Sequence, residues 1–367
     1  MKDSTTTPPH VFISQAHLLS YGGSEMVTLE LAEHFAAAGS TVSIGTWSVG
    51  PPVMSHLAGR PNISYFDIDG QQLSERLAGD PPQLAWIHHQ LLPAYLLDNP
   101  LETSFVYNHM SSVHPLELSW SADIESAFAS VHLYNSVETL AAHQVESSAL
   151  AFDAERLQIF ANPAPDSFGT HEVLPRAGSL RLGVVSNHPP EELATVIEQH
   201  PVGVEFLPIG ASSLTGSKAE RVTPRTFEGL DGVITIGKTV QYAIIAGLPV
   251  YCYDKFGGPG WLGSGNFGVA EHHNFSGRGF ARKGAAQIAA ELVEGFEGAA
   301  GFAAEIKASD LSRFVLSSAV ELVRSDLERK GDPQRELSEA QRAAHRRQQR
   351  VVGHYARNWL RSIRDDG

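Results

Sequence analysis

The stretch HVFISQAHLLSYGGSEMVTLELAEHFAAAGSTVSIGTW, residues 10–47, decides the fold class. It begins with a short apolar run that predicts a buried strand, and it ends with a second such run, Thr41 to Trp47. Between them, Gly22-Gly23 predicts a turn, and Ser24 to Ala38 carry apolar residues at helical spacing behind a serine that suits an N-cap. A strand, a helix and a strand in this order predict parallel strands joined by a crossover helix.

The same alternation continues along the chain and is interrupted once. Asn162 to Ser179 contains three prolines among glycines and polar residues, which indicates a linker between domains. Apolar runs predict strands at 63–68, 84–87, 104–107 and 131–134 before this break, and at 180–186, 204–209, 232–236 and 249–253 after it. The sequence therefore predicts two doubly wound, parallel-sheet α/β domains that face a cleft.

Composition and charge narrow the class of protein. Apolar residues make up 42% of the 367 residues and charged residues 19%, which is enough for two buried cores. Lys and Arg number 27 against 41 Asp and Glu, and the net charge of -14 argues against nucleic acid as a partner. A single cysteine excludes a disulfide framework and a cysteine-rich metal site. A polar N-terminus and the lack of a long apolar run predict a cytoplasmic protein.

A segment of the second half matches a phosphate-binding pattern. Gly232 to Thr239 reads GVITIGKT, which is literally the P-loop pattern. The four residues between Gly232 and Gly237 are strand formers, so we expect them to form a strand rather than a phosphate cradle. Gly237-Lys238-Thr239 then stands where the strand ends and a helix begins, and amides, helix dipole, ammonium and hydroxyl together suit a phosphate there. The alternative is a surface lysine without a ligand.

A second glycine-rich segment follows. Phe256 to Gly268 contains GPGWLG at 258–263, which has the spacing of the dinucleotide fingerprint. Pro259 and Trp261 inside it, and the lack of a helical pattern after Gly263, argue against that fingerprint. We expect a glycine-rich loop over a ligand at a strand end, with an ordinary surface turn as the alternative.

Histidines follow two predicted strands of the first half, where catalytic groups of such sheets belong. His88 and His89 end one strand, and His109 follows the next and opens a polar stretch that includes Ser111. We predict that His109 acts on the acceptor side as a general base or hydrogen-bond partner, with His88 and His89 as rivals and a core histidine as the alternative. Asp67-Ile-Asp69 has a metal-like spacing, but aspartates before a glycine favour a turn, so we predict no metal site.

The C-terminal segment Gln341 to Arg364 is basic and amphipathic. Its apolar residues share one face at helical spacing. It contains seven arginines: Arg342, Arg346, Arg347, Arg350, Arg357, Arg361 and Arg364. We expect a helix that docks on the protein's own acidic body. The alternative is a helix on an anionic membrane surface, which would make the protein peripheral at the inner membrane face.

Four short segments, taken in order, resemble GT-B glycosyltransferases, especially glycosyltransferase family 4. Gly22-Gly-Ser-Glu25 is similar to the start of a helix in that family, and Asn135-Ser-Val-Glu-Thr139 to a segment before a later helix. Phe160-Ala-Asn-Pro-Ala164 resembles its interdomain segment, and Ala246-Gly-Leu-Pro-Val250 resembles a turn of its second domain. The resemblance extends over about residues 10–255.

The resemblance implies a Rossmann-like acceptor domain (1–165), a nucleotide-sugar donor domain (166–340) and a C-terminal helix (341–367) that returns to the first domain. From their places at predicted strand ends, we predict a catalytic His109, which the resemblance supports, and an acceptor side with His88, His89 and Ser111. The predicted donor-binding residues are Gly22, Gly23, Ser186, Asn187, His188, Gly237, Lys238, Thr239, Gln241, Gly257 and Gly258.

One departure concerns the donor site. Where the family usually carries two glutamates eight positions apart, this chain has Ile234 and Tyr242, and Gln241 is the nearest polar substitute. Ser186-Asn-His188 stands where the family usually has a lysine and an arginine. The donor site is therefore a variant, and the stereochemistry of transfer is left open.

The predicted function is transfer of a sugar from a nucleotide-diphosphate donor to a hydroxyl of a glycan or lipid-linked acceptor, as in polysaccharide biosynthesis, without metal or cofactor. A sugar-nucleotide epimerase is an alternative function, since such enzymes use a similar two-domain arrangement. A third is a degenerate transferase homologue that binds nucleotide sugar without catalysis, which the missing glutamates motivate.

Overall fold

A computed structural model describes residues 9–100, 103–118, 120–146, 153–170, 178–210, 214–217, 219–333 and 336–365, and the side chains of 360–365 are outside that description. The chain divides into two compact units. The first unit comprises 1–135, 139–159 and 321–367, and the second comprises 136–138 and 160–320. Residues 171–177 of the expected linker, and the side chains of Arg361 and Arg364, lie outside the described residues.

Twelve strands form two sheets in the described residues. The strands are β1 (His10–Leu18), β2 (Thr41–Val49), β3 (Ile63–Asp67), β4 (Leu84–His88), β5 (Ser104–His109), β6 (Ala129–Tyr134), β7 (Leu157–Ile159), β8 (Leu180–Val185), β9 (Val204–Ile209), β10 (Gly232–Thr235), β11 (Val250–Asp254) and β12 (Gly257–Trp261).

Thirteen α-helices connect or cover these strands in the described ranges. They are α1 (Gly23–Ala37), α2 (Val53–Leu57), α3 (Gln71–Gly79), α4 (Ala94–Asp98), α5 (Ala122–Phe128), α6 (Val137–Glu146), α7 (Glu191–Gln199), α8 (Lys238–Ala246), α9 (Phe267–His272), α10 (Ala285–Glu294), α11 (Phe296–Lys307), α12 (Leu316–Lys330) and α13 (Glu339–Asp365). None of the helices in the described part of the chain is both long and apolar enough to cross a membrane.

The first unit holds a seven-stranded sheet in the order β3-β2-β1-β4-β5-β6-β7, and every pairing in it is parallel. The strand order reverses at β1 and β4, so the carboxyl ends of these two strands form the topological switch point where ligands of open α/β sheets bind. His88 lies at this point, as the sequence predicts, because it is the last residue of β4.

The second unit holds a five-stranded sheet in the order β12-β11-β10-β8-β9. Successive residues of β11 point to opposite faces, so Val250 and Cys252 join one apolar cluster while Tyr251 and Tyr253 join another. Both faces of this sheet are therefore covered, as the sequence predicts. The expected strand at 232–236 and the following helix are confirmed as β10 and α8, so the P-loop match is a strand and not a phosphate cradle.

The glycine-rich segment after β11 corrects the sequence prediction of a loop. Gly257–Trp261 is the edge strand β12, antiparallel to β11, and the short helix α9 follows where no helix was expected. Gly258 permits the close pairing, since a Cβ there would lie 2.2 Å from the carbonyl oxygen of Cys252. Glycine and proline are depleted in strands, which is why the pattern indicated a loop, and Pro259 is tolerated because the strand is at an edge.

Candidate functional site

The loop before α1 is held together by one carboxylate. Oε1 of Glu25 accepts hydrogen bonds from the amides of Leu19 (2.6 Å) and Ser20 (2.9 Å), and Oε2 accepts one from the amide of Gly22 (3.1 Å). A Cβ on Gly22 would lie 2.7 Å from that Oε2, whereas a Cβ on Gly23 would meet nothing within 4 Å. The Glu25 carboxylate thus links three residues of the loop, and the loop leaves space at Gly23, where α1 starts.

His88 belongs to a buried hydrogen-bond network at the switch point. Its Nε2 lies 3.1 Å from Nδ2 of Asn108, and its Nδ1 lies 3.0 Å from Oγ1 of Thr28. Burial lowers the pKa of His88 to about 3, so the ring is neutral at pH 7. Because the amide of Asn108 donates to Nε2, Nδ1 carries the proton and donates to Thr28. Both ring nitrogens are therefore used inside the first unit.

His89 is held in a similar way, in a left-handed backbone conformation with φ of 54°. Its Nδ1 accepts a hydrogen bond from the amide of Ala16 (3.2 Å), and its Nε2 lies 3.2 Å from Oε1 of Glu117. The other carboxylate oxygen of Glu117 accepts from the amide of Met110 (3.1 Å). His89 therefore ties the end of β4 to the segment that follows β5.

His109 lies in a buried charged cluster. Its Nε2 is 2.8 Å from Oε1 of Glu125, and Nδ1 of His132 lies 2.7 Å from the same oxygen. All three side chains are buried, and the His109 ring stacks on Tyr134 with centroids 5.0 Å apart. Burial alone would lower the pKa of His109, but the Glu125 carboxylate outweighs it and raises that pKa. Burial would raise the pKa of Glu125, but His109 and His132 hold it well below its usual range.

This cluster also has the composition of a metal site, because three candidate ligand atoms of His109, Glu125 and His132 lie within 4.8 Å of one another. Around a tetrahedral zinc ion with bonds of about 2.0–2.1 Å, neighbouring ligand atoms are separated by about 3.3 Å. The observed separations of 2.7 and 2.8 Å are those of charge-assisted hydrogen bonds. These short distances favour hydrogen bonds from His109 and His132 to Glu125 over a metal ion bound by the three side chains.

A general base needs an unprotonated ring nitrogen that faces the substrate. The Nε2 of His109 faces Glu125, and the residue also hydrogen-bonds to the backbone of Glu117. The general-base role of His109 therefore stays a prediction, and the contacts within the first unit favour a structural role instead. Sequence alone could not show this, because Glu125 is an unremarked residue of α5.

Ser111 sits in the turn that follows β5. Its hydroxyl accepts hydrogen bonds from the amides of Val113 (3.2 Å) and His114 (3.0 Å), and its carbonyl oxygen lies 3.1 Å from Nε2 of His143. The turn is thereby fixed from two sides. It exposes the imidazole of His114, which the sequence analysis did not single out.

His17 is a second residue that the sequence analysis missed. It lies near the carboxyl end of β1, and neither ring nitrogen has a hydrogen-bond partner among the described residues. Burial, together with the smaller effects of nearby His89 and His114, lowers the pKa of His17 to about 4. His88 and His109 are predicted as site residues because each stands at the end of a strand, and His17 meets the same criterion.

In the second unit, β10 and α8 meet at a turn of positive φ. Gly237 has φ of 57°, and its amide donates to the carbonyl of Phe275 (3.2 Å). The ammonium of Lys238 is buried and donates to the backbone carbonyls of Asn162 (3.2 Å) and Pro163 (2.6 Å). Its Nζ also lies 5.1 Å from the ring centroid of Tyr242. Lys238 thus holds the segment at 162–163, and its contact with a phosphate stays a prediction.

Gln241 lies one turn into α8 and is fully buried. Its Nε2 is 3.5 Å from Oδ1 of Asn274, and its Oε1 has no hydrogen-bond partner in the described part of the chain. The side-chain oxygen of Asn162 is buried and unpaired in the same sense. Buried polar atoms are rarely left unpaired, so each of these two oxygens is an acceptor that a ligand hydroxyl or amide could satisfy.

Core residues occupy the two positions, 234 and 242, at which the sequence lacks glutamates. Tyr242 stacks on Phe168 with centroids 4.3 Å apart and planes 2° apart. Ile234 is buried in the apolar cluster on the opposite side of the second sheet. Both side chains are used for packing and neither offers a carboxylate.

The remaining predicted donor residues fall into two groups. Asn187 and His188 are exposed after β8, where the amide of His188 donates to Oγ of Ser186 (3.2 Å). Gly257 and Gly258 lie in β12, and a Cβ on Gly257 would lie 2.4 Å from the carbonyl oxygen of Ala281. Packing therefore accounts for these two glycines, and their contact with a donor stays a prediction.

No protein-family model matches this chain, and comparison with curated protein sequences found no match. Several solved structures are similar in fold. Anabaena HepE in complex with UDP has a TM-score of 0.58 at 14% identity, covering 88% of this chain and 100% of that one. Sucrose-phosphate synthase from Thermosynechococcus elongatus has a TM-score of 0.57 at 12% identity, covering 87% and 98%.

A third similar structure is WaaG, a glycosyltransferase involved in lipopolysaccharide biosynthesis, with a TM-score of 0.53 at 12% identity, covering 88% and 100%. Identities this low establish likeness of fold and nothing further. The chain thus has a GT-B type α/β fold with two Rossmann-like domains, as the sequence predicts.

Proposed function

We propose that this chain is a glycosyltransferase similar to family 4, which transfers a sugar from a nucleoside-diphosphate donor to a hydroxyl of a glycan or lipid-linked acceptor. The observation that carries the proposal is the buried, unpaired Oε1 of Gln241 one turn into α8, beside the open turn at Gly237. The fold is shared with HepE, whose structure contains UDP.

Gln241 is the group that replaces the missing carboxylates. Its amide oxygen accepts a hydrogen bond from a hydroxyl of the donor, which the apolar Ile234 and Tyr242 cannot do. A hydrogen bond to a charged acceptor contributes about 1.5–3 kcal/mol and a neutral one about 0.5–1.5 kcal/mol. The donor is therefore bound more weakly by this contact than by a glutamate.

The diphosphate leaving group is stabilised at the start of α8. Gly237-Lys238-Thr239 begins a nine-residue helix, whose N-terminal dipole and amides favour an anion. In the reaction, the acceptor oxygen gives its proton to a base and bonds to the anomeric carbon. The bond from that carbon to the diphosphate oxygen breaks, and the nucleoside diphosphate leaves with the electron pair.

The proposed chemistry is metal-independent, and the side chains of Asp67 and Asp69 support this. Oδ1 of Asp67 accepts from Arg357 (2.8 Å). The two oxygens of Asp69 accept from Gln349 (2.9 Å) and from Trp47 (3.1 Å). Both carboxylates are therefore used to hold other side chains within the first unit.

For the proton acceptor on the acceptor side, His17 joins the earlier candidates His88, His89 and His109. The rings of His88 and His89 are hydrogen-bonded at both nitrogens, whereas His17 has no such partner among the described residues. An imidazole that is neutral at pH 7 can accept a proton from a hydroxyl. His17→Gln is therefore the first variant to assay for turnover.

The proposal is tested with a thermal-shift screen of nucleoside diphosphates and nucleotide sugars. A ligand that binds only the folded chain raises Tm with its concentration. We expect one nucleoside class to stabilise the wild type and Gln241→Leu to be stabilised by about 0.5–1.5 kcal/mol less at the same saturating ligand concentration. Gln287→Leu is the matched control, because Gln287 is an exposed glutamine of α10 in the same unit.

Product analysis with and without acceptor completes the test. Sugar transferred to a hydroxyl acceptor supports the proposal. Conversion of the donor without acceptor would identify an epimerase, and binding without turnover would identify a non-catalytic homologue. A screen in which no nucleotide raises Tm would reject the proposed donor altogether.

A further inference from the structure

The C-terminal helix α13 has two faces with different surroundings. On its inner face, Nδ1 of His345 lies 2.6 Å from Oγ of Ser121, and Oε1 of Gln349 accepts from the amide of Leu92 (3.1 Å). A Cβ on Gly353 would lie 2.8 Å from the ring of Trp47, so helix and sheet are in close contact there. This face is fully used in packing on the first unit.

The outer face carries a line of large exposed side chains. Val351, Tyr355 and Trp359 follow one another at intervals of four residues and therefore lie on the same side of the helix. Their side chains are 51%, 70% and 59% exposed. Exposed apolar and aromatic residues that form a continuous stripe, rather than single scattered residues, are typical of an interaction surface.

The arginines of α13 divide between the same two faces. Arg342, Arg346 and Arg357 are engaged with the first unit: Arg342 and Arg346 pair with Asp98, and Arg357 pairs with Asp67 and Asp69. Arg347 and Arg350, in contrast, are exposed beside the aromatic stripe.

No aspartate or glutamate occurs between 341 and 364, although the chain as a whole has a net charge of -14. The outer face is thus a local basic and aromatic surface on an acidic protein. It complements a surface that is anionic and that accepts aromatic rings at its boundary with water.

We propose that the outer face of α13, defined by Arg347, Arg350, Val351, Tyr355 and Trp359, docks on the surface of an anionic lipid bilayer. Tyrosine and tryptophan favour the interface between headgroups and acyl chains, and arginine pairs with lipid phosphates. The helix lies in the plane of the interface, with its inner face still packed on the first unit. The proposal stands apart from the transfer reaction, since its test needs no sugar donor.

Co-sedimentation of the full chain with lipid vesicles tests the proposal. We expect binding to vesicles of mixed phosphatidylcholine and phosphatidylglycerol and little binding to phosphatidylcholine alone. Binding falls with added salt, because the attraction between arginine and headgroup is screened. Arg347→Gln with Arg350→Gln weakens binding about fivefold for each arginine removed.

A second variant addresses the aromatic stripe. Tyr355→Ser with Trp359→Ser loses most of the vesicle-bound fraction and keeps the wild-type Tm, because both side chains are largely exposed. Val202→Ser is the matched control, since Val202 is 97% exposed but lies in the second unit, and it binds as the wild type does. Equal binding to neutral vesicles, or wild-type binding by either double variant, would overturn the proposal. A wild type that stays in the supernatant would overturn it too and point to a protein as the occupant of this face.

Discussion

Nε2 of His109 lies 2.8 Å from Oε1 of Glu125, and both side chains are buried in the first unit. Removing one member of a buried charged pair leaves the other without compensation and costs about 3–5 kcal/mol. We therefore expect His109→Ala to lower the free energy of unfolding by about that amount, measured by urea denaturation. His354→Ala, at an exposed position of α13, is the control and should change little.

The same variant separates the two roles considered for His109. A general base contributes about a hundred- to ten-thousandfold to turnover without affecting the fold. Collapse of turnover with an unchanged unfolding free energy would restore the catalytic role.

The ion pair of His109 and Glu125 contributes most to the unfolding free energy between the usual pKa values of its two members. The contribution of Glu125 is lost as the pH falls below 4.5, and that of His109 is lost as the pH rises above 6.5.

Neutral buried histidines make the first unit sensitive to mild acid. Burial lowers the pKa of His345 to about 4, whereas the unfolded chain takes up that proton below its ordinary value of 6.5. The unfolded state therefore binds more protons across this range. As the pH is lowered, the unfolding free energy decreases by up to about 1.4 kcal/mol per pH unit for each such group. We expect His345→Gln to flatten the decline between these two pKa values. His354→Gln should leave the slope as it is in the wild type.

Lys238 joins α8 to the segment at 162–163. Lys238→Met leaves two buried carbonyl oxygens without a donor, and each loss costs about 1–3 kcal/mol. We expect a lower unfolding free energy in urea, while Lys255→Met, at an exposed lysine of the same unit, changes little. If the ammonium also reaches a diphosphate, nucleoside diphosphate affinity falls about ten- to a hundredfold, as calorimetry would show. Unchanged affinity would reject the phosphate contact and leave the structural one.

Alanine substitutions at Gly22 and Gly23 test whether the donor diphosphate binds at the start of α1. Gly22→Ala places a Cβ 2.7 Å from a carboxylate oxygen of Glu25 and should lower Tm by disturbing the loop. Gly23→Ala meets no atom within 4 Å, so the fold should stay intact. If the donor diphosphate lies over this helix start, Gly23→Ala weakens nucleotide-sugar binding at an unchanged Tm. Wild-type affinity in Gly23→Ala would remove Gly23 from the donor site.

Chelation tests the metal-independent chemistry. We expect transfer to continue at the same rate in excess EDTA, because the helix start at Gly237-Lys238-Thr239 stabilises the leaving group. Asp69→Asn should lower Tm, since it weakens the hold on Arg357 and Gln349. A reversible loss of transfer on chelation would instead assign Asp67 and Asp69 to a metal site.

Local patterns in the sequence predicted most of the fold but not all of it. The switch from apolar runs to helical spacing correctly indicated β1, α1 and β2, and the strand formers at 233–236 correctly argued against a P-loop. The strand β12 was missed, because glycine and proline do not favour a strand by themselves. It forms only because Cys252 and Tyr251 of β11 offer it hydrogen bonds and an aromatic contact.

The sequence by itself determined the fold class and the strand ends at which candidate groups stand, because hydrophobic periodicity is a local property that a short window reveals. Only the tertiary structure decided which of those groups are already committed. His88, His109 and Lys238 are hydrogen-bonded by partners from distant parts of the chain, whereas Gln241 and His17 keep polar atoms without partners among the described residues. The sequence shows that a residue is a histidine or a lysine, but it does not show whether the side chain has a hydrogen-bond partner. That depends on residues that only folding brings within hydrogen-bond distance.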